Sequence, residues 1–142
     1  HQSDQGALLL LAFFFLVWAA DTGAYIAGRT FGRHKLAPAV SPGKTREGAV
    51  GGVVAAMVFA GLGAWVLGFG EARLVGFVLL GAWVAVISIV GDLTISMFKR
   101  HAGIKDSGTL FPGHGGVLDR LDSVLAAAPW FVAGLHWLPS AV

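Results

Sequence analysis

Four aspartates stand inside or at the edge of long apolar stretches in this chain: Asp21, Asp92, Asp119 and Asp122. Asp21 and Asp92 each interrupt an apolar run a few residues from its end. A charge at the centre of a membrane helix costs about 2.5–3.5 kcal/mol on insertion scales and less near the interface, so such groups usually face a polar cavity or an ion or substrate path. A snorkelling or capping role would account for Asp21 taken alone. Asp92 is followed at i+4 and i+7 by Ser96 and Lys99, which puts all three on one helix face. Asp119 and Asp122 are three residues apart at the start of an apolar segment and also project together. Asp119 by itself would read as an acid at the positive end of a helix dipole. Together Asp92, Asp119 and Asp122 form a hard-oxygen set suited to Mg²⁺, which keeps several waters and binds through a few carboxylates plus substrate phosphates.

The stretch from Ser96 to Asp122 is polar and broken by glycine, and holds four of the chain's ten cations and three of its eight acids. Within it, Pro112-Gly113-His114-Gly115-Gly116 has little side-chain bulk. Glycines let backbone N–H groups approach phosphate oxygens closely, and His114 could add a side-chain donor. A generic turn explains two of these glycines more readily than three around a histidine. His1, His34, His101 and His136 have no comparable setting. A second polar segment reads Ser41-Pro42-Gly43-Lys44-Thr45-Arg46-Glu47-Gly48. Its GKT triplet suggests a P-loop, but Pro38 occupies the position of the first glycine and no strand is expected before it. The better reading is a helix start with Lys44 and Arg46 near an anionic ligand; the plainer one is cytoplasmic positive charge.

The elements that must position these groups are apolar. Hydrophobic residues make up 56% of the 142 and charged residues 13%, about half the usual charged share, and mean hydropathy is +0.74. Gly6–Gly28, Gly48–Gly70, Leu74–Phe98 and Ser123–Val142 each supply the roughly 20 residues that span a hydrocarbon core. A soluble bundle would show polar outer faces at helical period, and these segments do not. The expected fold is therefore an all-α polytopic membrane protein with four transmembrane helices and a polar site at one face. Nine of the ten cations fall in the connections on that face, which the positive-inside rule makes cytoplasmic, with both ends of the chain on the other side. Some of the tryptophans in or near the span ends (Trp18, Trp65, Trp83, Trp130, Trp137) would anchor at the interface, others simply pack. Gly48 and Gly52 form a GxxxG pair, and Ala20, Ala24 and Gly28 a stripe at four-residue steps. Such stripes permit close contact within the chain, the simpler reading, or across a homodimer.

Cysteine is absent, so disulfides and thiolate metal sites are excluded and a metal would need oxygen or imidazole ligands. The pI is near 9.4, but net charge is only +2 and aromatics are not interleaved with basic patches, which argues against nucleic acid. The opening His1-Gln2-Ser3-Asp4-Gln5 has neither an initiator Met nor a signal-peptide pattern. Residues 1–142 are expected to be part of a longer membrane protein, beginning in a loop.

These residues resemble the CDP-diacylglycerol synthase (phosphatidate cytidylyltransferase) family. The family pattern is S-x-hydrophobic-K-R, four residues, K-D, then further on a small residue, P-x-H-G-G and D-R-x-D, and Ser96 to Asp122 matches it at every specified position. Asp21-Thr-Gly-Ala-Tyr25-x-x-Gly28 and Ser41-Pro-x-Lys44-Thr45-x-Glu47-Gly48 resemble its upstream motifs, except that Gly43 stands where members often carry lysine. The resemblance covers essentially the whole chain and corresponds to the C-terminal catalytic part, further N-terminal helices lying outside it. It implies the reaction of CTP with phosphatidate in the bilayer to give CDP-diacylglycerol and pyrophosphate, a step of phospholipid biosynthesis. It further implies Asp92, Asp119 and Asp122 as magnesium ligands at two cation sites, with Lys99, Arg100, Lys105 and Arg120 holding phosphates. Asp21, Ser41, Lys44, Thr45, Ser96, Asp106, His114, Gly115 and Gly116 would position the substrates. The location implied is the inner (cytoplasmic) membrane, multi-pass, with the site facing the cytoplasm. Two rivals are a CTP-dependent lipid kinase of the dolichol or phytol type and an ion-coupled transporter. The intact P-x-H-G-G-x-x-D-R-x-D segment favours the cytidylyltransferase.

Overall fold

The computed structural model describes residues 2–103 and 118–138, with side chains over 6–103 and 121–138. Four helices appear in chain order: α1 (Gln2–Phe31), α2 (Arg46–Val66), α3 (Glu71–His101) and α4 (Leu118–Trp137). The first three are long and apolar enough to cross a membrane, and α4 is a fourth helix of 20 residues. The chain is an all-α polytopic membrane protein. Its outer faces are apolar, with Trp18, Val54, Val58, Leu62, Leu79, Trp83 and Val132 all exposed. In water such surfaces would be a liability; in lipid they are the ordinary outward face.

Helix limits differ from the expected spans for local reasons. α1 and α3 run three residues past Gly28 and Phe98, ending at Phe31 and His101. Arg29 stands in the last turn of α1, and Lys99, Arg100 and His101 in that of α3, where cations suit the helix dipole. α2 ends at Val66, short of Gly70, because Gly68 takes φ 69°, a left-handed conformation that closes a helix and favours glycine. Gly103, at φ 71°, does the same after α3. α4 starts five residues before Ser123, which brings Asp119 and Asp122 into its first turn.

Residues 35–45 hold the main departure from expectation. They form an antiparallel hairpin of β1 (Lys35–Ala37) and β2 (Ser41–Thr45), with Lys35 opposite Thr45 and Ala37 opposite Ser41. Pro38 and Pro42 keep this segment out of a helix. The Lys35 ammonium donates to the Pro42 carbonyl at 2.7 Å. Glu47 locks the hairpin base: one carboxylate oxygen accepts from the Arg33 and His34 amides at 3.2 Å each, and the other pairs with His34 Nδ1 at 2.6 Å. Thr45 then caps α2, its hydroxyl accepting from the Gly48 amide at 3.1 Å.

Packing runs α1 on α2, α2 on α3 and α3 on α4, with α1 also touching α3 and α4. The α1–α2 seam is built from small residues. A methyl group on Gly52 would stand 2.8 Å from the Ala20 carbonyl oxygen, and one on Gly48 2.8 Å from that of Ala24. The small-residue stripes thus serve packing within the chain, as the simpler reading held. Toward the opposite end, Phe13, Phe77 and Phe131 from α1, α3 and α4 cluster, with ring centroids 5.0 Å apart for Phe13–Phe131 and 6.2 Å for Phe77–Phe131. Toward one end of the bundle lies a buried aromatic cluster. The other is open and charged.

Candidate active site

At the charged end a pocket of about 640 Å³ opens between the helices and the hairpin, lined by Asp21 of α1, Lys44 and Thr45 of β2, Ser88 and Asp92 of α3, and Asp122 and Ser123 of α4. Asp21 and Asp92 each precede the end of their helix by about ten residues, roughly 15 Å at 1.5 Å per residue. Both helices run three residues past the expected span, so the two acids stand further from the helix ends than the sequence suggested. The Lys44 ammonium donates to one oxygen of Asp92, and Ser96 Oγ donates to the other at 3.3 Å. Ser123 Oγ donates to Asp21 at 3.4 Å and so bridges α4 to α1. Asp122 is buried, 7% exposed, and accepts from the Ser123 amide at 2.6 Å. Asp92 repels both Asp21 and Asp122, whereas Lys44 attracts both. Among the described residues three acids line the pocket with two cations, Lys44 and Arg29, and this excess of negative charge attracts a cation and the anions a cation can bridge.

Residues 1–138 match the cytidylyltransferase family. The chain belongs to that family. It is 52% identical over 137 residues to the phosphatidate cytidylyltransferase of Haemophilus influenzae, covering 92% of this chain and 46% of that protein. It is 53% identical over 129 residues to the protein of that name from Pseudomonas aeruginosa (91% and 47%) and 48% identical over 124 to that from Synechocystis sp. (87% and 42%). The chain therefore spans about half the length of the curated relatives it matches.

This cytidylyltransferase-family chain brings Asp21, Lys44, Thr45, Asp92 and Asp122 to one pocket, with Ser96 bonded to Asp92. Ser41 opens β2 at the far end of the hairpin, opposite Ala37, and does not line the pocket. Lys99 and Arg100 occupy the last turn of α3; Arg100 Nε donates to the Val40 carbonyl at 3.4 Å and ties the hairpin to α3. Asp119 and Arg120 lie in the first turn of α4, their side chains outside the described residues. Lys105, Asp106, His114, Gly115 and Gly116 also lie outside the described residues. Sequence reasoning missed Ser88, Ser123 and Arg29, and it gave no role to Tyr25 or Glu47, which it saw only as motif positions, nor to His34. Spacing held a signal for some of them: Ser88, Asp92 and Ser96, like Asp21, Tyr25 and Arg29, stand at four-residue steps on one face.

The donor set fits magnesium in one specific way. Among the described residues no three acids converge into a metal cage. Asp21, Asp92 and Asp122 instead line a shared space. Mg²⁺ is ordinarily bound through one or two carboxylates with water and substrate phosphates, so an all-protein cage is not needed.

Proposed function

We propose that this chain holds the reaction centre of a phosphatidate cytidylyltransferase, joining CTP to phosphatidate to give CDP-diacylglycerol and pyrophosphate. The observation that carries the reading is the convergence of Asp21, Asp92 and Asp122 with Lys44, from three helices and a hairpin, at the charged end of a membrane bundle. Relatives about half identical to the chain bear that name. Family membership favours nucleotidyl transfer over the kinase and transporter readings.

In this reaction a phosphate oxygen of the lipid forms a bond to the α-phosphorus of CTP. The bond from that phosphorus to the bridging oxygen of the β-phosphate breaks, and pyrophosphate leaves with the electron pair. The lipid is itself the nucleophile, so the protein must position two polyanions and offset their repulsion. Lys44 suits this role because its ammonium sits on a flexible stem and can share itself between Asp92 and an incoming phosphate. Lys99, Arg100, Lys105 and Arg120 would add positive charge around the phosphates. Ser96 holds Asp92 in orientation, and Ser123 holds Asp21. Asp92 and Asp122, with Asp119, would hold magnesium at two sites, and the ion supplies charge neutralisation at the phosphates when bound.

The charged end would face the cytoplasm in the inner membrane, where CTP arrives from water while phosphatidate stays in the bilayer. Because the small-residue stripes are used inside the chain, a homodimer would have to form through another face. The test is the fate of the CTP phosphates in the intact protein: the α-phosphate should enter the lipid and the β- and γ-phosphates should leave together.

A further inference from the structure

Tyr25 and Arg29 stand one turn apart near the end of α1, and both line the pocket that holds Asp21 and Lys44. Arg29 Nη1 donates to the Tyr25 hydroxyl at 2.7 Å. Among the described residues two cations line the pocket, Arg29 and Lys44. Lys44 is paired with Asp92, whereas among the described residues Arg29 has no acidic partner. The phenol is a neutral acceptor: it occupies one of the five guanidinium N–H groups and cancels none of the charge. Positive-inside bias accounts for an arginine at this helix end, but not for its being turned back along the helix onto a tyrosine at the pocket. A free end of a planar guanidinium, fixed in direction, matches the paired oxygens of a phosphate.

Building on the function proposed above, we infer that Arg29 is a phosphate-binding residue at the mouth of the pocket and that Tyr25 is the residue that positions it. The ligand chemistry is a phosphate with at least two unshared oxygens. The headgroup of the lipid and the phosphates of the nucleotide both offer it, and kinetics on the two substrates tell them apart.

The experiment uses the intact protein in membranes and the variants Arg29→Gln, Arg29→Lys and Tyr25→Phe, measuring KM and kcat separately for CTP and for phosphatidate. Retention of labelled CTP, and co-sedimentation with phosphatidate vesicles, are measured without turnover. Hydrogen bonds to a charged group are worth enough that Arg29→Gln should raise one of the two KM values about ten- to hundredfold. Arg29→Lys should recover part of that loss, and Tyr25→Phe should raise the same KM several-fold. A rise for phosphatidate, with weaker vesicle binding, assigns Arg29 to the lipid phosphate; a rise for CTP, with weaker CTP retention, assigns it to the nucleotide. Both KM values within twofold of the parent, with ligand binding unchanged, would overturn the inference. So would an equal loss for Lys and Gln confined to kcat. If the parent itself forms no lipid product, the proposed reaction fails; the two binding measurements still decide the role of Arg29.

Discussion

Asp92 accepts from Lys44 on one oxygen and from Ser96 on the other, while Asp21 and Asp122 press on it with like charge. Removing Lys44 leaves three acids with less cation among them. Breaking a fully buried pair from one side costs about 3–5 kcal/mol. Here both side chains are 29% exposed, so solvent screening should hold the loss below that range. Lys44→Met is expected to lower the melting temperature in detergent, and the double variant with Asp92→Asn to recover much of it while remaining inactive. A double variant that melts no higher than Lys44→Met alone would show that the pair is not what Lys44 contributes. At this scale the carboxylates were legible because an acid in an apolar run is conspicuous and costly. Arg29 was not, since every cation at a cytoplasmic helix end looks alike in sequence. Its orientation depends on which face of α1 meets the pocket.

The hairpin is the element that delivers Lys44, and Glu47 fixes its base while Arg100 ties its tip to α3. The Glu47 carboxylate accepts from two amides and pairs with the His34 ring, and an alanine would remove all three contacts. Glu47→Ala should therefore loosen residues 33–45, speed tryptic cleavage at Arg33 and Lys35, and lower kcat several-fold without altering the helical content. Unchanged cleavage together with parental kcat would contradict the role given to this lock. Sequence reasoning found the four helices because apolar length dictates them, and it placed Asp119 and Asp122 in the same turn. It missed the strands because Ser-Pro-Gly-Lys-Thr lacks the alternation of β-branched residues that marks a strand. What holds them in place is a contact thirteen residues away between His34 and Glu47. The helix ends moved for similar reasons: Gly68 and Gly103 close helices through φ values that composition does not reveal.

Taken as a whole, the molecule is polarised, with a phenylalanine cluster toward one end and the acids, Lys44 and the hairpin at the other. By sequence, nine of ten cations fall in or beside the two connections expected at one face, which predicts that this face is cytoplasmic. In an otherwise cysteine-free protein, single cysteines at Lys35 and Gly103 should resist a membrane-impermeant thiol reagent in intact cells, whereas one at Gly70 should react. Labelling of the first two ahead of the third would reverse the orientation. In the proposed reaction that polarity would let a soluble nucleotide and a bilayer lipid meet in one pocket, and the central claim is what happens between them. Intact protein is supplied with Mg²⁺, phosphatidate and CTP labelled at either the α- or the γ-phosphate. Nucleotidyl transfer puts the α-label into the organic-phase lipid and the γ-label into water-soluble pyrophosphate, and added pyrophosphate returns the lipid label to CTP. Lipid labelled from the γ-position, with a long-chain alcohol able to replace phosphatidate, would contradict the account.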